Sequence, residues 1–405
     1  MAQTPRQDRH HSIDILRGFA VLGILMMNIG AFAMVFEAYS YPLAHMDMTG
    51  INATIWTIQH TFFAYKFVTI FSALFGAGVV LMLGEGQDAK LGIHYRRMGW
   101  LLLIGMIHAY VFWFGDILVP YALCGFIIVL ARRMPAHRLF IWGGVLITIT
   151  GLLSMGLYAA FQLVPGDMDA TEMGMALTDD ALAERVALYQ SGFLDRLPSN
   201  LTNAIILQFF QMIGFSGRLI GVMFVGMALF KSGFLTLGWE RRHYMLSGAA
   251  TGVLGVGLCL WASLSHLNSG FDLREFWKGE SVMYVGSLLL AYAYAAGVML
   301  LAGLKGLQGL LVPFRDAGRM AFTNYLTQTL IMTFIFVGFP GLGLFGTVER
   351  SGQFLIVIAV WALQLVWSPL WLARYRFGPL EWLWRSLTYG RFQPMRKSAT
   401  SEAKS

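Results

Sequence analysis

Apolar residues in this chain come in long blocks, not in the alternating or three-and-four patterns of half-buried strands and surface helices. Ten blocks cover 13–35, 55–83, 94–114, 117–131, 138–162, 203–231, 243–265, 281–304, 319–338 and 352–373, with the polar residues gathered between them. A helix needs roughly 20 such residues to cross a bilayer, so the pattern predicts ten spans. The third and fourth are separated only by "FGD" and form a tight helical hairpin.

Composition fixes the solvent. Of 405 residues, 57% are hydrophobic and 13% charged, with a mean hydropathy of +0.61. A soluble domain carries about 25% charged residues, so lipid must cover much of this surface. Cys124 and Cys259 both fall inside apolar blocks and read as packing residues, not as a disulfide framework. The net charge of +7 does not indicate a nucleic-acid partner, because the basic residues are spread along the chain. They recur in alternate connections, such as Arg96 with Arg97, Arg132 with Arg133, and Arg241 with Arg242, whereas the segments between are acidic, as in "PGDMDATEMGMALTDDALAE". Short cytoplasmic loops are enriched in Lys and Arg. The expected fold is an all-α polytopic helical bundle of about ten membrane spans with both termini cytoplasmic. Its expected organisation is a membrane half over 1–162, an extracytoplasmic loop over 163–202 with one amphipathic helix, a second membrane half over 203–390 and a disordered basic tail over 391–405.

Ionisable groups inside spans cost about 2.5–3.5 kcal/mol or more each and so single themselves out. Lys66 and Arg218 lie deep in the second and sixth blocks; each faces a cavity or holds a structural partner. Gln211, Gly214 and Arg218 share one face at helical spacing. Asn28, His60, Lys66, His108 and Asp116 all project to the outer half of the first four spans, and one outer cavity would gather them. Against that, His108 suits an interhelical hydrogen bond and Asp116 an N-cap on the fourth helix. Asn324 and Gln328 hold helices together or line a substrate path. Asp14 and Arg17, three apart, can pair on the first helical turn. The segment "GPLEWLWRSLTYGRF" reads as an interfacial helix.

Phosphate-loop, haem-attachment, serine-elbow and Cys/His metal-ligand spacings are all missing from the sequence, so no metal is expected. No clear internal repeat supports a transporter.

The stretches "SIDILRGFAVLGILMMNI", "KFVTIFSALFGAG", "YRRMGWLLLIGMIHAYVFWFGDILVPYAL", "GRMAFTNYLTQT" and "GPLEWLWRSLTYG" resemble the bacterial YeiB-like membrane protein family, whose shared domain has no assigned function. That family is similar in turn to a superfamily of transmembrane acyltransferases. These include the lysosomal heparan glucosaminide N-acetyltransferase and the bacterial surface-polysaccharide O-acyltransferases. The resemblance implies transfer of an acyl group from cytosolic acyl-CoA, the co-substrate, to an extracytoplasmic or membrane acceptor. Its D-x-x-R-G start matches Asp14, Arg17 and Gly18. In the polysaccharide enzymes a catalytic His follows the Arg by eleven residues; Asn28 stands there in this chain, and the glucosaminide acetyltransferase resemblance also puts Asn there, with its His further on, at His45 or His60. The candidate catalytic set is His60, His108 and Asp116, with a His as general base. Asn28, Lys66, Arg218, Asn324 and Gln328 are the candidate cavity set. Asp14, Arg17, Arg96 and Arg97 are the candidate set for CoA, the arginines attracting its phosphates. The alternative is a transporter or binding protein for a lipid, quinone or small amphiphile. Expected partners are membrane lipids and a small-molecule or lipid substrate; a homodimer is compatible with the sequence.

Overall fold

A computed structural model describes residues 8–84, 91–161 and 170–397. Every apolar block is helical. In chain order the main helices are α1 (Asp8–Ala33), α2 (Gly50–Phe62), α3 (Lys66–Leu83), α4 (Leu91–Ile107), α5 (Leu118–Ile128), α6 (Ala136–Phe161), α7 (Asp179–Ser191), α8 (Leu197–Phe210), α9 (Ser216–Lys231), α10 (Arg241–Asn268), α11 (Leu273–Ala302), α12 (Gln308–Arg319), α13 (Ala321–Phe336), α14 (Arg350–Arg374) and α15 (Pro379–Tyr389). No strand is present among the described residues, only isolated bridges. Among the described residues, seven helical stretches are long and apolar enough to cross a membrane: α1, α2 with α3, α6, α8 with α9, α10, α11 and α14. The other three of the ten blocks fall on the shorter helices α4, α5 and α13. The protein is an all-helical integral membrane protein.

α1 is the axis of the bundle. In its apolar window 72% is buried, against 17% for α10, so α10 shows most of its surface to lipid. α1 packs on α3, α12, α13 and α14. Where it crosses α12 the two backbones touch: a Cβ on Gly18 would lie 1.9 Å from the Phe314 carbonyl oxygen, and one on Gly318 would lie 1.8 Å from that of Asp14.

A polar ladder ties α13 to its neighbours. Gln328 Nε2 donates to Val21 O of α1 at 3.2 Å and to Gln364 Oε1 of α14 at 2.9 Å. Gln364 Nε2 donates to Asn324 O at 2.9 Å. Asn324 Nδ2 donates to Ala317 O and Ser368 Oγ, while its Oδ1 accepts from Trp367 Nε1 at 2.9 Å. All four ladder side chains, Asn324, Gln328, Gln364 and Ser368, are buried, and an orphaned buried polar group costs about 1–3 kcal/mol. Asn324→Ala strands the Trp367 indole N–H and is expected to cost about 2 kcal/mol, read as a lowered melting midpoint in detergent. Asn324→Asp, which keeps the acceptor, separates loss of that bond from loss of the two donated ones.

Two helices carry a wide π-type turn, His108–Phe112 after α4 and Gln211–Phe215 between α8 and α9. Such turns insert a residue and rotate the chain beyond them about the helix axis. The second one removes the shared face expected for Gln211, Gly214 and Arg218. Gln211 lines a cavity, whereas Arg218 turns to α3 and α11, donating to Ser287 Oγ at 2.9 Å and lying 4.4 Å over the Tyr284 ring.

The C-terminal tail is not free from residue 391 onward. Arg376 N donates to Met395 O at 2.9 Å and Lys397 N to Arg374 O at 3.2 Å, so 391–397 folds back on the end of α14. The rest of the expected tail, 398–405, and part of the expected loop, 163–169, lie outside the described residues, as does residue 162 at the end of the fifth block. The helix expected in that loop is α7, capped by Thr178, whose Oγ1 accepts from Ala181 N.

Candidate functional site

Two cavities lie end to end beside α1. The first, of about 210 Å³, sits at the end where α1 begins. Its polar rim is basic: Arg17 from α1, His94 and Arg97 from α4, and Arg319 from the end of α12. Each guanidinium is held. Arg17 donates to Asp14 Oδ1 at 2.9 Å, the Arg97 guanidinium carbon lies 4.2 Å from the centre of the Trp384 ring, and Arg319 is 3.5 Å from Asp316 Oδ1. His94 is buried; its Nε2 donates to Gly125 O at 3.0 Å, and its Nδ1 has no partner. Glu381 also lines this cavity, but its Oε1 is spent on the first N–H groups of α13, accepting from Phe322 N at 2.7 Å and Thr323 N at 3.1 Å. It is a helix cap supplied by α15, and burial pushes its carboxyl above the usual carboxylate range. The remaining wall is apolar, from Phe71, Phe75 and Met82 among others.

The second cavity, of about 310 Å³, is lined by Asn28, Tyr39, Tyr65, Trp113, Phe210 and Gln211 among others. Ile24, Ile117 and Tyr121 belong to both linings, so the cavities share a wall only a side chain thick.

One residue behind that wall lies a hydrogen-bonded chain. His108 Nδ1 is 2.7 Å from Asp116 Oδ1, and His108 Nε2 is 2.9 Å from Thr329 Oγ1. A carboxylate only accepts, so Nδ1 carries the proton, and in the neutral imidazole the Thr329 hydroxyl donates to Nε2. Asp116 Oδ2 also accepts from Val119 N at 2.7 Å. It therefore caps α5 as the sequence suggests, but it does so fully buried, not at a wet outer turn. The π turn at His108 supplies the rotation that brings the imidazole round to Asp116. Asn200 holds this turn open by donating to Ala109 O and Tyr110 O. Tyr325 joins chain and wall: it lines the first cavity, its ring lies 5.4 Å from His108, and its hydroxyl accepts from Ile117 N at 3.4 Å.

Thr329, Tyr325, His94 and Arg319 carry no sequence signal of their own, since each is a common residue type in a helical context. The expected single outer cavity is not what the structure builds. Of its five members only Asn28 lines the second cavity. His108 and Asp116 lie behind the shared wall. His60 and Lys66 belong to a separate cluster against α10 and α11, where Lys66 Nζ donates to His60 O at 2.9 Å across the break between α2 and α3. Equal depth does not fix helix rotation, and the turn at Phe63–Tyr65, with Tyr65 at φ +64, turns α3 away from the line of α2. Lys66, Arg218, Asn324 and Gln328 hold helices together and line neither cavity. In the expected CoA set, Arg17 and Arg97 line the first cavity and Asp14 steadies Arg17. Arg96 does not line it; it donates to Thr388 O at 3.3 Å and pins α15. His45 accepts from Val35 N at 3.3 Å in the connection after α1.

A protein family described as "Protein of unknown function (DUF418)" matches residues 229–391, the end of α9 through α15. The chain is 32% identical to the "Uncharacterized protein YxaH" of Bacillus subtilis (strain 168) over 97% of its own length and 98% of that protein's. It is also 32% identical to the "Uncharacterized protein YeiB" of Escherichia coli (strain K12) over 94% of its length and 96% of that protein's. Identity at this level along nearly the whole of each chain shows that the protein belongs to the YeiB-like family, whose function is unknown.

Proposed function

We propose that the protein is an acyltransferase-like enzyme of the bacterial cytoplasmic membrane that takes an acyl-CoA in the first cavity and delivers the acyl group to an acceptor in the second. The observation that carries this reading is the stacking of an arginine-rimmed cavity against an aromatic one, with the Asp116–His108–Thr329 chain behind their common wall. Arginines bind phosphates through paired N–H donors, and Arg17, Arg97 and Arg319 ring a slot whose wall is otherwise apolar, the profile needed by a phosphorylated head on an apolar arm. With α1 starting in the cytoplasm, that slot opens to the cytosol, where acyl-CoA is found. In the transfer step His108 Nε2 takes the acceptor's proton as its oxygen or nitrogen adds to the thioester carbonyl. The CoA thiolate then leaves, and the proton passes to it. For this step Thr329 must release Nε2 and the side chains of the common wall must part, since His108 lines neither cavity.

A carrier of an anionic amphiphile is the second reading. It is favoured by the full occupation of both His108 nitrogens and by the absence of His108 from either lining. One experiment separates the two. Purified protein in detergent is titrated with radiolabelled acetyl-CoA and palmitoyl-CoA, and release of free CoA is followed. Arg97→Ala is expected to weaken binding by roughly 10-fold or more, as loss of a charge-assisted contact of about 1.5–3 kcal/mol requires. Binding without CoA release, unchanged in His108→Ala, selects the carrier. No acyl-CoA binding at millimolar concentration overturns the acyltransferase reading.

A further inference from the structure

The cluster around His60 lies apart from the two cavities and serves neither reading. It joins residues more than 200 positions apart in sequence: His60 from α2 with His266 from the last turn of α10 and Glu280 from the third turn of α11. Their ligand atoms all lie within 4.8 Å of one another, and all three residues are buried, His266 at 1% exposure.

The hydrogen bonds around His60 fix which of its nitrogens is free. Ser263 Oγ donates to Cys259 O at 2.9 Å, so its only hydrogen is spent. His60 Nδ1, 2.9 Å away, must then donate to that oxygen, as Thr61 Oγ1 also does. In a neutral imidazole this leaves the Nε2 lone pair facing Glu280 Oε1 at 3.2 Å. Two acceptors in contact need something positive between them. A proton on His60 would answer for that pair but would leave His266 unexplained. His266 is 1% exposed, and neither of its ring nitrogens has a hydrogen-bond partner, although its Nε2 stands 3.5 Å from the same carboxylate oxygen. Room has been made for this ring: a Cβ on Gly279 would lie 2.4 Å from its Cε1.

We infer that His60 Nε2, His266 Nε2 and Glu280 form a binding site for a divalent transition-metal ion of the zinc type. One ion satisfies all three groups at once. Tetrahedral bonds of about 2.0–2.1 Å set ligand atoms roughly 3.3–3.4 Å apart, between the observed separations of 3.2 and 3.5 Å. Two imidazoles select zinc, iron, nickel or copper over calcium and magnesium, which prefer all-oxygen sites. Ser263 is the outer-shell group that orients the His60 ring, the role hydroxyls and carboxylates play behind metal-binding histidines. Three protein ligands leave a fourth position, the arrangement of reactive rather than purely structural zinc sites. Tyr65 connects the site to the second cavity: its hydroxyl donates to Glu280 Oε2 at 3.1 Å while its side chain lines the cavity wall.

The test uses the full-length protein in detergent, stripped with a chelator and titrated with Co²⁺. Visible ligand-field absorption of a four-coordinate ion is expected at one Co²⁺ per chain, displaced by Zn²⁺. His266→Ala and Glu280→Gln are expected to lose the signal, and Ser263→Ala to weaken affinity by about 10–100-fold. Because ligand variants can fail to fold, each is checked for a single gel-filtration peak. Gly279→Ala, which retains all three ligands but moves the ring, should also weaken binding. A monodisperse wild-type protein that gives no Co²⁺ spectrum and retains no Zn²⁺ at micromolar concentration overturns the site and leaves an imidazolium–carboxylate pair. Retention of full Co²⁺ affinity by folded His266→Ala overturns it equally.

Discussion

Gly318→Ala is expected to destabilise the protein by about 3 kcal/mol, at the upper end for an overpacked core, and to empty the first cavity of its ligand. The added Cβ would lie 1.8 Å from Asp14 O and 2.7 Å from Gly18 N, both of them backbone atoms. A flexible side chain could swing aside; two helix backbones cannot, so α1 and α12 must separate. The next residues along each helix pass that separation to the site. Arg17 precedes Gly18 and Arg319 follows Gly318, so the crossing sets two of the three cavity guanidiniums beside each other. The measurement is a thermal melt in detergent together with acyl-CoA binding. Gly309→Ala, in the same helix with open space at its Cβ, is the matched control and should be neutral or slightly stabilising, because Ala is the better helix former by about 1 kcal/mol. A Gly318→Ala protein that melts with the wild type would show that α1 and α12 do not approach this closely.

The same crossing explains why two distant stretches stood out in the sequence. "SIDILRG" ends on Gly18 and "GRMAFTNYLTQT" begins on Gly318; each glycine is the other's landing place. "GPLEWLWRSLTYG" joins them because Glu381 accepts from Phe322 N and Thr323 N, and Leu380 N donates to Thr323 Oγ1. The three motifs are thus three faces of one joint under the basic cavity. The helices themselves were legible because lipid imposes a simple rule: apolar blocks must be helical to satisfy their own backbones. Rotation was not legible. Hydropathy averages over a helix and cannot say which way His60 points, and a π turn or a left-handed residue such as Tyr65 changes the answer by a single residue. The partners of His60 could not be read at all, since Ser263, His266 and Glu280 lie 203 or more positions away, and no local spacing announces them. Asp116 was legible as a cap because capping is local; its second bond, to His108, depends on the turn between them.

His108→Ala is expected to lower acyl-group turnover by about 10²–10⁴-fold, the range for removal of a positioned general base, while leaving acyl-CoA affinity within about twofold of wild type. The split arises from position. The arginine rim that would hold the CoA phosphates belongs to α1, α4 and α12, and His108 touches none of it, whereas the His108 ring sits behind Ile117 and Tyr325 at the junction of the cavities. Three further variants separate chemistry from packing. Thr329→Val removes the hydroxyl that occupies Nε2 in the resting state, so a free base should preserve or raise turnover; a structural role for the bond instead predicts a melting loss without a kinetic gain. Asp116→Asn can keep an acceptor toward either Val119 N or His108 Nδ1 but removes the carboxylate that stabilises an imidazolium, so turnover should fall with little change in binding. His108→Gln retains polar groups that can reach Asp116 and Thr329 and should recover stability lost in His108→Ala without recovering turnover. Equal turnover in folded His108→Ala and wild type would assign the Asp116–His108–Thr329 chain to joining α4, α5 and α13, and the acyl-transfer base would then have to be His94, the one histidine that lines the first cavity and whose Nδ1 has no hydrogen-bond partner.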